Sequence, residues 1–236
     1  MIWQSLICFS LSVLTLAASS IKGRTNLTSE QLHAHSSRDC SGVVVWLQPL
    51  TGEPTGIAAN PSKIRIRQKN KTFLPHVLVV PVGATVDFPN DDPIFHNAFS
   101  NYNGQIFDIG LYPPGTTRSI TFRREGVVRV FCNIHAAMSA VIVAVNTPYF
   151  AVTGKDGAFQ IEGVPKGTYQ LAFYYERATD KTLESLSRTV LIRNEAEDLG
   201  LFNISQAGYL PIPHMNKYGK PYAPAADATG YSGTQQ

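Results

Sequence analysis

Val130-Phe131-Cys132-Asn133-Ile134-His135-Ala136-Ala137-Met138-Ser139 stands between two β-branched runs, residues 127–131 and 140–145, and spaces its Cys, His and Met as C-x2-H-x2-M. Runs of that length and composition read as strands, so these residues form a tight hairpin whose loop aims three side chains toward one point. The same texture extends outward. Short apolar runs at 63–67, 78–82, 85–88 and 119–122 are punctuated by Gly, Pro, Asn and Asp, with no convincing helical period between them. Closely spaced strands of this kind predict a β-sandwich or barrel over residues 40–147.

Past Thr147-Pro148 a second set of strands is expected at 149–153, 158–161, 168–175, 188–192 and 200–204. Turns at Gly154-Lys155-Asp156-Gly157 and Val164-Pro165-Lys166-Gly167 separate the first of them. Alternating apolar and polar residues mark them as half-exposed sheets, giving a second small β domain over 148–205. Residues 206–236, rich in Pro, Gly, Ala, Ser and Tyr, are expected to form a flexible tail or to lie along a partner. Residues 21–39 are polar and are expected to be a flexible lead-in. Residues 1–20 lack acidic and basic side chains, carry an apolar run and end in Ala17-Ala18-Ser19-Ser20, which reads as a secretory signal peptide. No later run is long enough to span a bilayer.

The chain of 236 residues is 44% hydrophobic and 16% charged with a net charge of +3, which excludes wholesale disorder and coiled coil and gives no footprint for nucleic acid. Export leaves Cys40 and Cys132 in a compartment that permits disulfides, so a Cys40–Cys132 bond is one reading of the pair. The other makes Cys132 a metal thiolate and Cys40 a small buried hydrophobe. Asp91-Asp92-Pro93-Ile94-Phe95-His96-Asn97 supplies a second imidazole upstream. One thiolate, two imidazoles and a thioether are the donor set of copper electron-transfer sites, with the thioether as the weak axial ligand. Met138 is one of only two methionines beyond the leader, although a core-filling Met is the simpler reading of that residue alone. A binuclear copper site lacks its second cysteine, because Phe131 stands there. A trinuclear centre needs His-x-His pairs, and only His33-Ala34-His35 has that form. Structural zinc prefers more thiolates.

Phe73-Leu74-Pro75, Val82-Gly83-Ala84-Thr85-Val86-Asp87-Phe88-Pro89-Asn90-Asp91, His96-Asn97 and Cys132-x2-His135-x2-Met138 together resemble the cupredoxin family, with a ligand loop spaced as in amicyanin. The resemblance covers about residues 42–145. It implies a Greek-key β-sandwich holding type 1 copper through His96, Cys132, His135 and Met138, with Asn97 orienting the ligands. The family often carries Pro beside the second His, whereas Ile134 and Ala136 flank His135 here. Residues 151–171 are similar to the carboxypeptidase regulatory-like, transthyretin-related (prealbumin-like) β-sandwich, which implies fold and not chemistry. Modules of that kind begin with a strand like residues 42–47. The copper domain is therefore a candidate insertion, testable by contacts between residues 43–47 and 151–159.

The expectation is an all-β, exported (periplasmic or secreted) mononuclear blue copper protein that carries single electrons and is not an enzyme. Its partner would be another redox protein, such as a c-type cytochrome or a dehydrogenase. The alternatives are a copper module for delivery or sequestration, with His33, His35 and His214 as auxiliary donors, and a metal-free adhesion or carbohydrate-binding double sandwich closed by the Cys40–Cys132 bond. His76 is expected either to approach the metal or merely to pack. Asn26, Asn70 and Asn203 head possible glycosylation sequons, and Tyr174 and Tyr175 read more readily as core than as a partner surface.

Overall fold

The computed structural model describes residues 19–28, 39–52, 64–101, 104–211 and 213–222. The fold is all-β apart from one short helix. Strands β1 (Ser19–Thr28) and β2 (Val44–Pro49) are followed by β3 (Arg67–Lys69), β4 (Thr72–Leu74), β5 (Val77–Pro81), β6 (Thr85–Pro89), β7 (Phe99–Ser100), β8 (Phe107–Asp108), β9 (Thr117–Thr121), β10 (Gly126–Phe131) and β11 (Ser139–Val145). The chain then forms β12 (Phe150–Val152), β13 (Ala158–Val164), β14 (Gly167–Tyr174), α1 (Asp180–Leu186), β15 (Arg188–Ile192) and β16 (Ala196–Ser205). The hydroxyl of Thr179 caps α1 by accepting from the amide of Thr182 at 3.2 Å, and Leu183 is the residue it buries.

Two sandwiches result. In one, the sheet β13-β1-β16 faces β12-β2-β14-β15 across a core that includes Ile21, Val45, Leu47, Phe159, Leu171 and Phe202. In the other, β5-β11-β10-β7-β8 closes over the pairs β3-β4 and β6-β9 around Phe73, Phe88, Phe122, Val128, Val130 and Ile142.

Strand periodicity explains how the two sandwiches join. Along β11, Ala140, Ile142 and Ala144 enter the second core while Val141, Val143 and Val145 face the other way. Along β2, Val45 and Leu47 enter the first core while Val44 and Trp46 face outward. The outward sets meet in a third apolar cluster with Val79 and Phe150. Both strands are buried on both faces, which is why they read as unbroken apolar runs.

β2 pairs with β12 through Phe150↔Trp46, Ala151↔Val45 and Val152↔Val44, and with β14 on its other edge. This strand therefore lies in the sandwich of the later strands, and the expected start of the copper domain at residue 40 is corrected. The contact asked of residues 43–47 and 151–159 is present. The lead-in expectation is also corrected. β1 is the central strand of its sheet, antiparallel to β13 and parallel to β16. Its alternating Ile21, Gly23, Thr25 and Leu27 carry a period-two signal that the polar neighbours Lys22, Arg24 and Asn26 obscure. Side-chain-free positions seat it: a Cβ on Gly23 would fall 2.4 Å from a ring carbon of Phe159. Gly157, at φ +76°, abuts the carbonyl of Thr25 so closely that a Cβ would lie 2.0 Å from the oxygen. Ser19 and Ser20, placed in the expected leader, open this strand; residues 1–18 of that leader, residues 29–38 of the lead-in and residues 223–236 of the tail lie outside the described residues. No helix among the described residues is long and apolar enough to cross a membrane.

Candidate metal centre

β10 and β11 pair in register up to Phe131↔Ser139, leaving residues 132–138 as the connecting loop. The loop closes on itself: the amide of Cys132 donates to the carbonyl of Met138 at 3.1 Å, and the amide of Met138 donates to the carbonyl of His135 at 3.0 Å. These bonds put Cys132 and Met138 at the buried base and His135 nearer the tip. Cys132 and Met138 are fully buried in the second core, and His135 is half-buried. Its neighbour Ile134 is 48% exposed.

His96 arrives from the segment between β6 and β7, held by a two-way backbone bridge to Tyr112 at 3.2 and 2.9 Å. Its Nδ1 lies 3.8 Å from the Sγ of Cys132, and the Nδ1 of His135 lies 3.6 Å from the same sulfur. All three ligand atoms fall within 4.8 Å of one another. The structure thus brings together His96, Cys132 and His135 and packs Met138 in the same core as the thiol.

A second set of contacts orients these groups. His96 Nε2 lies 2.8 Å from the carboxylate of buried Asp92, a contact that holds the ring with Nδ1 facing the sulfur. Asp92 also accepts from the amides of Asn70 and Lys71, the two left-handed residues of the tight β3–β4 turn. The carboxylate thereby pins a hairpin and a candidate ligand together. Sequence reading missed its role; the available signal was a carboxylate four residues before the histidine. Asn97 ties the His96 segment to the loop: its Oδ1 accepts from the amide of Asn133 at 2.6 Å, and its Nδ2 donates to Asp108 at 3.2 Å.

The electrostatics suit a thiolate. Burial opposes ionisation of Cys132, yet hydrogen bonds from His96 and from the amides of Asn97, Ile134 and His135 hold its pKa below the ordinary thiol value. For His96, burial disfavours the cation, but contact with Cys132 and Asp92 raises its pKa. Burial and the neighbouring His96 lower that of His135, keeping that imidazole available as a neutral donor. A soft thiolate with two imidazoles and a buried thioether fits type 1 copper.

The other candidates sort away from this cluster. Cys40 is a free, buried thiol in the first sandwich core, and Cys132 is free in the second, so the disulfide reading is corrected. His76 does not reach the site; its ring sits between the carbonyl of Ser139 at 3.1 Å and Glu176 at 2.7 Å. His33 and His35 lie outside the described residues. His214 is not an auxiliary donor in this arrangement, because its Nε2 is 2.8 Å from the carbonyl of Ala136 on the outer side of the loop. The expectation of a flexible tail is corrected for residues 213–222, which fold across that loop. Pro and Gly composition hid this, since the contacts use His, Lys and Tyr at irregular spacing.

No family model matches the chain, and no curated protein matches it. Among solved structures, it is similar to a purple cupredoxin from Nitrosopumilus maritimus at 26% identity, over 35% of this chain and 100% of that one, with a TM-score of 0.33. A mutant of amicyanin in the Cu(I) state is 17% identical over 43% of this chain and 98% of that one, with a TM-score of 0.34. A copper-containing nitrite reductase from Thermus scotoductus is 23% identical over 50% of this chain and 28% of its own length, with a TM-score of 0.35.

Proposed function

We propose that this chain is an exported blue copper protein that carries one electron at a time between redox proteins. The observation that carries the reading is the convergence of the two Nδ1 atoms and the Cys132 sulfur within 4.8 Å of one another. His96, Cys132 and His135 would hold the metal, with the buried thioether of Met138 as a further, weaker donor. Copper bound there supplies a Cu(II)/Cu(I) couple that a mixed soft and imidazole donor set accommodates in both states.

The chain's own groups serve that role in distinct ways. Asp92 fixes which nitrogen of His96 faces the site, and Asn97 ties the His96 segment to the amide of Asn133 in the Cys132 loop. Positions fixed beforehand move little when the oxidation state changes, which keeps electron transfer fast. The fully buried thiol excludes water, while half-buried His135 gives an edge through which a redox protein such as a c-type cytochrome or a dehydrogenase would exchange electrons. The first sandwich, similar in residues 151–171 to the carboxypeptidase regulatory-like module, would act as a scaffold from which the copper domain emerges as an insertion between β2 and β12.

Visible absorption and EPR spectra after Cu(II) addition test the reading. An intense thiolate-to-copper band that is lost in Cys132→Ala is expected; a wild-type protein without the band overturns it. Reversible cycling between Cu(II) and Cu(I) separates a carrier from a module for copper delivery or sequestration.

A further inference from the structure

The segment 213–222 grips the outside of the 132–138 loop at three points. The Tyr222 hydroxyl donates to the carbonyl of Cys132 at 2.9 Å. The Nε2 of His214 lies 2.8 Å from the carbonyl of Ala136, and its ring stacks on Phe131 with centroids 3.9 Å apart and planes 23° apart. The amide of Lys217 donates to the side chain of Asn133 at 3.0 Å, while its ammonium reaches Asp108 at 2.8 Å. Asp108 in turn accepts from Asn97, whose carbonyl oxygen holds the amide of Asn133. The segment is itself braced, with His214 Nδ1 3.3 Å from the Tyr222 oxygen and a turn closed by Gly219 donating to Asn216.

These contacts have one geometric consequence. The strap occupies the carbonyls of Cys132 and Ala136 and the side chain of Asn133, three polar groups spread along the loop. Opening the loop to let a ligand atom leave the site means breaking those bonds together, in addition to the loop's internal ones.

We infer that segment 213–222 is a positioning strap for the ligand loop, and that Tyr222, His214 and Lys217 set how readily that loop opens to expose the Cys132 thiol and to release metal. The inference rests on the copper reading for its second readout and not for its first. In metal-free full-length protein, alkylation of Cys132 by iodoacetamide reports loop opening, and Cys40, buried in the other core, reports global opening in the same sample. The variants are Tyr222→Phe, which removes one hydroxyl and keeps the ring, and His214→Ala; Leu201→Ala, at a residue 58% exposed on β16 and outside the strap, is the control.

Tyr222→Phe is expected to speed Cys132 alkylation about fivefold relative to Cys40, the factor corresponding to one net hydrogen bond, with His214→Ala at least as large and the control unchanged. Loss of Cu(I) to a chelator from the loaded protein is expected to accelerate in parallel. Unchanged Cys132 rates in both variants, or equal acceleration at Cys40 and Cys132, overturn the strap. A wild-type protein without a thiolate-to-copper band, combined with faster Cys132 alkylation in the variants, overturns the copper reading and sustains the strap.

Discussion

Asp92 is the residue on which the candidate centre is most dependent outside the donors themselves. It receives His96 Nε2 and two turn amides and is nearly fully buried, so its removal takes one acceptor from three groups at once. Burial raises the cost of its charge, yet the amides of Lys71 and Asn70 and the His96 contact keep its carboxyl below the usual range. Asp92→Ala is expected to weaken Cu(II) binding roughly 10–100-fold in a competition titration, as loss of a partner that orients a ligating His does. It is also expected to lower unfolding stability by about 1–3 kcal/mol through the orphaned amides. A variant that keeps wild-type affinity would show that His96 is oriented by its backbone bridge to Tyr112 alone.

At the scale of elements, the interdependence of β1 and its neighbours gives a sharper test than any exposed strand. Gly157 holds a left-handed conformation against the Thr25 carbonyl and lies 3.1 Å, measured from the position of a built Cβ, from the Cβ of Cys40. Gly157→Ala therefore combines backbone strain with a clash against main chain that cannot rotate away. A loss of about 3 kcal/mol or more in denaturant unfolding is expected. Gly163, also left-handed but with open space around its Cβ position, is the comparison: there the strain acts without the clash, and a smaller loss of about 1–2 kcal/mol is expected. Equal losses at the two sites would mean that β1 is not held against the β12–β13 turn as described.

Across the whole molecule, the two sandwiches meet through the apolar cluster of β2 and β11 and through a polar clasp. His76 contacts Glu176 at 2.7 Å, and Glu176 is also 3.7 Å from Arg129. The hydrogen bond to Glu176 raises the pKa of His76 against burial and against nearby Arg177, and the same bond lowers that of Glu176. The signs give a window. A histidine with a raised folded pKa stabilises fully below its unfolded value and loses that contribution as pH climbs through the raised one. A depressed carboxylate stabilises above its unfolded value and loses its share as pH falls through the lowered one. The clasp is thus strongest in mildly acidic solution, and His76→Ala is expected to flatten the decline of melting temperature as pH rises from about 6 to 8. A decline of the same slope in the variant would remove the clasp as its source.

What could be read along the chain was whatever is encoded over a few neighbours. The unbroken apolar run of β11, the alternation in β13 and β14, and the C-x2-H-x2-M spacing are local, because a strand shows its faces every second residue and a short loop fixes which side chains can converge. The tertiary structure alone decided the pairings across long separations. β1 aligns in parallel with β16, Asn26 opposite Asn203, and nothing in either segment announces the other. Asp92, Asn97 and the tail acquire their roles in the same way, since each acts by hydrogen-bonding a group whose position depends on the folded loop beside it. Local spacing could nominate His96, Cys132, His135 and Met138 as donors. Only the packing of β6–β7 against the β10–β11 hairpin put the His96 nitrogen beside the sulfur, kept Cys40 in a separate core, and laid the 213–222 segment over the loop.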